Sequence, residues 1–485
     1  MKHILFIFFV TVFAMKAHAQ NFANDLYHAY GNYLERSIQT RRFPPDDYMK
    51  LMEQFVQSGL LSKENLGRSV SGRELNLYRW GRGETRIFLW SQMHGDEATA
   101  SLALLDIFHF LADTHSFRHD RQIMHDAVSL YILPLVNPDG ADDFTRRNSI
   151  AIDLNRDALR LTTPEARILM ETYLRLKPHY AFNLHDQQPR YSAGNSHNVA
   201  AISFLAPAPD QEKTITPNRL LAMKAISGMT EVLNKIIPGH TAKYDDTFEP
   251  RAFGDNFQKL GGATILIESG GWPGDPEKQF IRKLNFIIML EAFHRISRGG
   301  VELLSTELYD ALPFNDTRLF DVIYRNCSYL VDGQRFTVDI AVNRYESVQP
   351  DGKLMGYSEV EEIGDLSVFY GMEEYDFNGY EITAGSLPEK LYSLQELTPE
   401  VVSGLHKQGF HTVRTNARKL GGNFSKLGVN LILNSERELP DRLMLNRNAS
   451  FVVRKDSKPI YLVINGYLLY PSTGAGFVRN GTIIK

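Results

Sequence analysis

The chain is expected to be an α/β protein, with a mixed, largely parallel sheet covered by helices on both faces and a smaller β-rich domain after it. Two observations predict this. Apolar strands interleave with amphipathic helices to about residue 300, and period-two alternation with Asn-Gly turns follows. A length of 485 residues also exceeds one ordinary core, so two or three domains are expected.

The start of the chain stands apart. "MKHILFIFFVTVFAMKAHA" places Lys2 before an apolar run from Ile4 to Ala14, with small residues at Ala17 and Ala19. This layout predicts a cleavable signal peptide over residues 1–19, because the run is shorter than the ~20 residues that span a bilayer. Its removal takes away Lys2 and Lys16, moving the formal charge from −4 to −6. The expected product is secreted or periplasmic, with no membrane span.

Residues 20–301 form the expected first domain. Helices and turns fill about 25–75, and "LGRSVSGRELNLYRWG" reads as a strand pair. Strands follow at Ile87–Ser91, Val128–Leu135, Tyr180–Leu184, Ala200–Leu205 and Thr264–Glu268. Helices alternate with them at about 97–112, 164–176, 218–237 and 276–297. Residues 302–485 form the β-rich accessory domain. There "RFTVDIAVNRY" sets Phe336, Val338, Ile340 and Val342 on one face, and "YLVINGYLLY" places Asn465-Gly466 between two apolar runs. A type I′ hairpin turn requires positive φ twice, which Asn-Gly supplies. Asn378-Gly379 reads as a second such turn, and Thr398-Pro399-Glu400 as a helix start.

Composition excludes several functions. Apolar content of 43% and charged content of 23% are those of a folded soluble protein. With 53 basic against 57 acidic residues there is no basic excess, so nucleic acid is not an expected partner. Cys327 is the single cysteine, which rules out intramolecular disulfides, thiolate metal sites and CxxC redox chemistry. It reads as a small buried residue.

Polar residues gather where strands end. His94 and Glu97 sit three residues apart across a strand-to-helix junction, where a turn can aim an imidazole and a carboxylate at one ion. Alone, HxxE is weak, since Asp96 and Glu97 also suit a helix N-terminus. A second strand ends in "NPDG"; "DFTRRNSIAIDLNRD" then supplies Arg146, Arg147, Asn155 and Arg156 within eleven residues. His185 and Glu268 close two further strands. Ligands of open α/β sheets bind beyond the carboxyl ends of strands, so the coincidence points to one site.

The pieces "LGRSVSGREL", "HGDE", "NPDG", "RRNSIAIDLNR", "NLHD" and "LIESGG", in that order over about residues 25–300, resemble the M14 zinc carboxypeptidases of the carboxypeptidase A type. The resemblance implies that His94, Glu97 and His185 ligate one Zn²⁺; this His₂Glu set is the known one of carboxypeptidase A and is not read from spacing. Independently, two imidazoles and a carboxylate suit zinc chemically. The resemblance further implies Glu268 as the base that takes a proton from the attacking water and delivers it to the leaving amine. It implies Arg146, with Arg147 as the adjacent alternative, at the developing oxyanion. Asn155 and Arg156 match the pair that holds a substrate's terminal carboxylate, for which a guanidinium fork is suited. Arg73 matches a position near the next subsite.

The chain departs from the family in one segment. Thr247-Phe248 fall where digestive members carry a mobile tyrosine, with Tyr244 nearby but out of register. Arg251, in the specificity segment, would favour an acidic side chain or a second carboxylate. The expected substrate is a peptide or peptidoglycan-derived stem peptide with a free C-terminal carboxylate. Two alternatives are an N-acyl-amino-acid deacylase resembling aspartoacylase and a non-catalytic peptide-binding module; a retained Glu268 disfavours the latter.

Overall fold

The computed structural model describes residues 22–348, 354–417, 427–433, 438–476 and 483–484. The expected signal peptide, residues 1–19, lies outside the described residues. Two compact units divide the chain, Met1–Thr317 and Arg318–Lys485.

The first unit begins with helices α1 (22–29) and α2 (Pro45–Gln57), then an antiparallel pair, β1 (Ser62–Arg68) and β2 (Glu74–Gly81). The remaining strands are β3 (Thr85–Ser91), β4 (Val128–Leu133), β5 (Tyr180–Asp186), β6 (Ser192–Ala193), β7 (Ile202–Leu205), β8 (Thr241–Lys243), β9 (Ala263–Ser269) and β10 (Asn315–Asp316). Eight of the ten strands form one sheet in the order β1-β2-β4-β3-β5-β9-β7-β8. Its centre, β4-β3-β5-β9, is parallel, and β7 turns antiparallel against β9. The helices are α3 (Thr99–Ala112), α4 (Arg118–Ala127), α5 (Pro138–Asp143), α6 (Pro164–Leu176), α7 (Pro217–Ile236), α8 (Phe253–Lys259), α9 (Gln279–Ser297) and α10 (Glu307–Asp310).

Period-two geometry explains why β3 is apolar throughout. Ile87 and Leu89 pack with α3, α7 and α9, whereas Phe88 and Trp90 pack on the opposite face with α6 and α8. Helix starts follow local chemistry: Thr163 and Thr216 cap α6 and α7, each with proline at the first helical position. The sequence puts the domain boundary at 301/302, but residues 302–317 stay with the first unit. Leu312 joins the core under α9, the Tyr309 amide donates to Ser227, and β10 pairs with β6.

The second unit is β-rich. Its main sheet runs β13 (Leu354–Gly364), β12 (Gln334–Val348), β11 (Leu319–Val331), β15 (Glu381–Thr383), β18 (Phe451–Lys455), β19 (Lys458–Ile464), β20 (Tyr467–Tyr470), β21 (Ala475–Gly476). Asn465 (φ 50°) and Gly466 (φ 74°) join β19 to β20 as the two-residue hairpin the sequence predicts. Asn378-Gly379 does not make a second one. The flanking strands, β14 (Tyr370–Asp376) and β15, both run parallel to β11 along successive stretches of it, so the turn links them without pairing them. The helix expected after Thr398 spans Pro399–Lys407, capped by the Thr398 hydroxyl. Cys327 is fully buried, and burial pushes its thiol well up, which is the setting of an inert core residue. Among the described residues no helix is long and apolar enough to cross a membrane.

Candidate active site

Backbone contacts bring the motif-bearing turns to one edge of the sheet. The Val136 and Asn137 amides donate to Ser91 and Gln92, drawing the turn after β4 against the turn after β3. Gly95 and Gly140 then approach so closely that a Cβ on Gly95 would fall 1.9 Å from the Gly140 carbonyl carbon. Glycine in both "HGDE" and "NPDG" is therefore a packing requirement. In the central ladder His185 on β5 is the register partner of Glu268 on β9.

Three side chains converge there. The Glu97 carboxylate receives His94 Nδ1 at 2.7 Å on one oxygen and His185 Nδ1 at 2.7 Å on the other. The two Nδ1 atoms lie 3.2 Å apart. This separation matches the ~3.3 Å edge of a tetrahedron whose centre is 2.0–2.1 Å from each nitrogen, the length of a zinc–imidazole bond. All three residues are buried, and their ligand atoms lie within 4.8 Å of one another. Arg146 Nη1 points at His94 Nδ1 (3.1 Å) and Glu97 (3.3 Å), so these atoms already attract positive charge. The donor set and spacing fit a zinc ion. Asp96, at the centre of the turn, is not one of the three.

A fourth residue holds the first ring. Asp153 Oδ1 accepts from His94 Nε2 (3.1 Å) and from the Asn155 amide (3.0 Å), while Oδ2 accepts from Arg146 Nε (3.1 Å). With Nε2 donating, Nδ1 is left to face Glu97 and His185. The surrounding carboxylates favour positive charge at this point of the site. Burial opposes a charged His94, yet Glu97 and Asp153 hold it up to about 9. Burial lowers His185. Burial also works against an ionised Glu97, but the two imidazoles keep it well below the usual carboxylate range. For Glu268, burial and then the neighbouring Glu97 raise the carboxyl well above that range.

A cavity of about 450 Å³ opens over this cluster. His94, Glu97, Arg146, Asn155, Arg156, His185, Tyr244 and Glu268 all line it. Asn155 Oδ1 accepts from the Phe253 amide (3.0 Å), leaving its amide nitrogen to donate. Arg156 Nη1 donates to the Asn155 carbonyl (2.7 Å), and its Nε lies 3.5 Å from Glu249.

Two expected substrate residues lie elsewhere. Arg73 is drawn to Asp139 (3.0 Å) and Asp142 (2.5 Å) and does not line the cavity. Asp139 of "NPDG" also accepts from Ser69 and Ser71, so it organises the "SGR" turn rather than the site. Arg251 forks onto Glu249 at 2.8 and 3.0 Å, with its side chain 56% exposed and outside the cavity lining. A carboxylate two residues away captures the guanidinium. Arg147 donates to Ala151 on the surface, which leaves Arg146 as the arginine at the cluster. Asp153 carries no role in the sequence reading although it stands inside "DLNR"; its place between a histidine and an arginine is a tertiary fact.

Comparisons with known proteins find similarity over part of the chain. Residues 47–170 match the Peptidase_M14 family, zinc carboxypeptidase. Carboxypeptidase SOL1 of Arabidopsis thaliana is 29% identical over 148 residues, covering 27% of this chain and 30% of that protein. Carboxypeptidase 2 of Trichophyton tonsurans is 28% identical over 101 residues, covering 21% of this chain and 18% of that protein. The matched stretch thus spans less than a third of these relatives' length. Among solved structures, a metallo-carboxypeptidase from Burkholderia cenocepacia aligns with TM-score 0.44 at 15% identity, over 54% of this chain and 71% of that one. One from Pseudomonas aeruginosa in complex with (2-guanidinoethylmercapto)succinic acid aligns with TM-score 0.39 at 17% identity, over 53% and 69%. Over residues 47–170, the chain is similar to the zinc carboxypeptidases of peptidase family M14.

Proposed function

We propose that the first unit is an exported, zinc-dependent carboxypeptidase that hydrolyses the C-terminal amide bond of peptides or of cell-wall stem peptides. The observation that carries this reading is the pairing of a two-imidazole, one-carboxylate cluster with Glu268. This buried carboxyl lines the same cavity and is the register partner of His185. His94, Glu97 and His185 would hold the ion. When bound, zinc supplies a Lewis acid that polarises a carbonyl and acidifies water.

The rest of the chemistry belongs to the chain. Glu268, its affinity for a proton raised by burial, takes the proton of the attacking water and hands it to the departing amine. Arg146 lies beside the cluster with its side chain 44% exposed, placed to donate to the carbonyl oxygen as negative charge develops. Asn155 and Arg156, further along the cavity, suit a terminal carboxylate. With Arg251 held by Glu249, the residue that suggested an acidic side-chain preference is withdrawn. Asp255 lines that part instead and has no ion pair among the described residues, which favours a neutral or cationic terminal side chain.

Glu268→Gln tests the reading. It should keep zinc content while hydrolysis of a mixed peptide and stem-peptide panel, followed by mass spectrometry of the products, falls ~10²–10⁴-fold. Unchanged turnover, or cleavage confined to N-acyl-amino acids, would refute it.

A further inference from the structure

Lys278 is 6% exposed and lies just before α9 with left-handed backbone, φ 52°. A lysine is seldom buried, and a side chain with a Cβ is disfavoured at that φ, so the surrounding structure must hold it there. Its ammonium makes two contacts of 2.9 Å, to Asp186 Oδ2 and to the Ser269 carbonyl. Each belongs to a strand end that bears a site residue. Asp186 follows His185, and Ser269 follows Glu268.

Asp186 extends the connection to the third segment. Its Oδ2 also accepts from the Thr99 hydroxyl (2.6 Å), two residues beyond Glu97, and its backbone amide donates to Glu97 Oε2 (3.1 Å). One buried ammonium thereby ties the turns carrying Glu97, His185 and Glu268 into one hydrogen-bonded unit. Lys278 and the Asp186 side chain, each 7% exposed, touch none of the three proposed ligand atoms directly. Groups of this kind orient the ligands of a metal, and their loss lowers affinity without removing a ligand.

We propose that Lys278, acting through Asp186, is a positioning residue of the metal site, setting the spacing of Glu97, His185 and Glu268. This rests on the zinc-peptidase reading of the same cavity. The test uses the full chain and measures the zinc dissociation constant by competition with a chromogenic chelator, alongside kcat and KM. Lys278→Met should weaken zinc ~10–100-fold and lower kcat more than it raises KM. Lys278→Arg should recover most of the affinity. Asp186→Asn, which keeps shape and the backbone amide, should weaken zinc in the same direction, and it decides the matter if Lys278→Met does not fold. Parent zinc affinity and kcat in both folded variants would overturn the proposal while leaving the peptidase reading intact. A parent protein that binds no zinc would instead overturn that reading itself.

Discussion

Asp153→Asn isolates a residue whose role comes only from the tertiary structure. The aspartate oxygens accept from His94 Nε2 at 3.1 Å, the Asn155 amide at 3.0 Å and Arg146 Nε at 3.1 Å, with Arg146 Nη2 at 3.0 Å. An asparagine of the same shape has one acceptor oxygen. If that oxygen stays under His94 and Asn155, its NH₂ faces the two donors of Arg146; if it turns, it faces Nε2 and the Asn155 amide. Either way one set of charge-assisted hydrogen bonds is replaced by opposed donors. Such bonds contribute ~1.5–3 kcal/mol each, equivalent to about 10- to 150-fold. Zinc affinity measured against a chelator should therefore fall ~10–100-fold, in the range known for partners of metal-bound histidines. kcat/KM should fall with it, because Arg146 loses its anchor at the same time. A folded Asp153→Asn protein with zinc affinity and kcat/KM within twofold of the parent would show that Asp153 does not set the His94 ring.

Two further predictions concern stability. Arg282 and Asp106 form a fully buried pair at 2.5 and 2.7 Å, completed by the Ile38 carbonyl and the Tyr30 hydroxyl. Arg282→Met strands that carboxylate and should cost ~3–5 kcal/mol in urea unfolding of the first unit; an unchanged midpoint would refute a stabilising role. Asp255 is raised by burial from 3.8 to about 7. The folded protein then holds this proton more tightly than the unfolded chain, so stability falls as pH rises from about 4 to 7, by up to ~1.4 kcal/mol per pH unit. Asp255→Asn should remove that slope and exceed the parent in Tm above pH 7; parallel Tm–pH curves would rule out the assigned burial.

The central strands and the helices between them were readable from period and length. β3, β5 and β9 are apolar on both faces because helices cover both, and that leaves continuous runs in the sequence. The same pattern located His185 and Glu268, because an ionisable residue closing such a run is conspicuous. The hairpin at Asn465-Gly466 was readable because its positive φ angles restrict residue choice. Asn378-Gly379 shares that dipeptide, but strand pairing with β11 decides what the turn connects, and pairing is not local.

The sequence by itself determined the fold class of the first unit and singled out His94, Glu97, His185 and Glu268, which the fold gathers at one cavity. Tertiary structure decided the partners. Charged side chains are long and reach whichever counter-charge the fold brings near. Hence Arg73 goes to Asp139 and Asp142, Arg251 to Glu249, and Arg146 to Asp153 and Glu97. Lys278, which no motif marks, lies beneath the site because the strand ends and the start of α9 meet only in the folded chain.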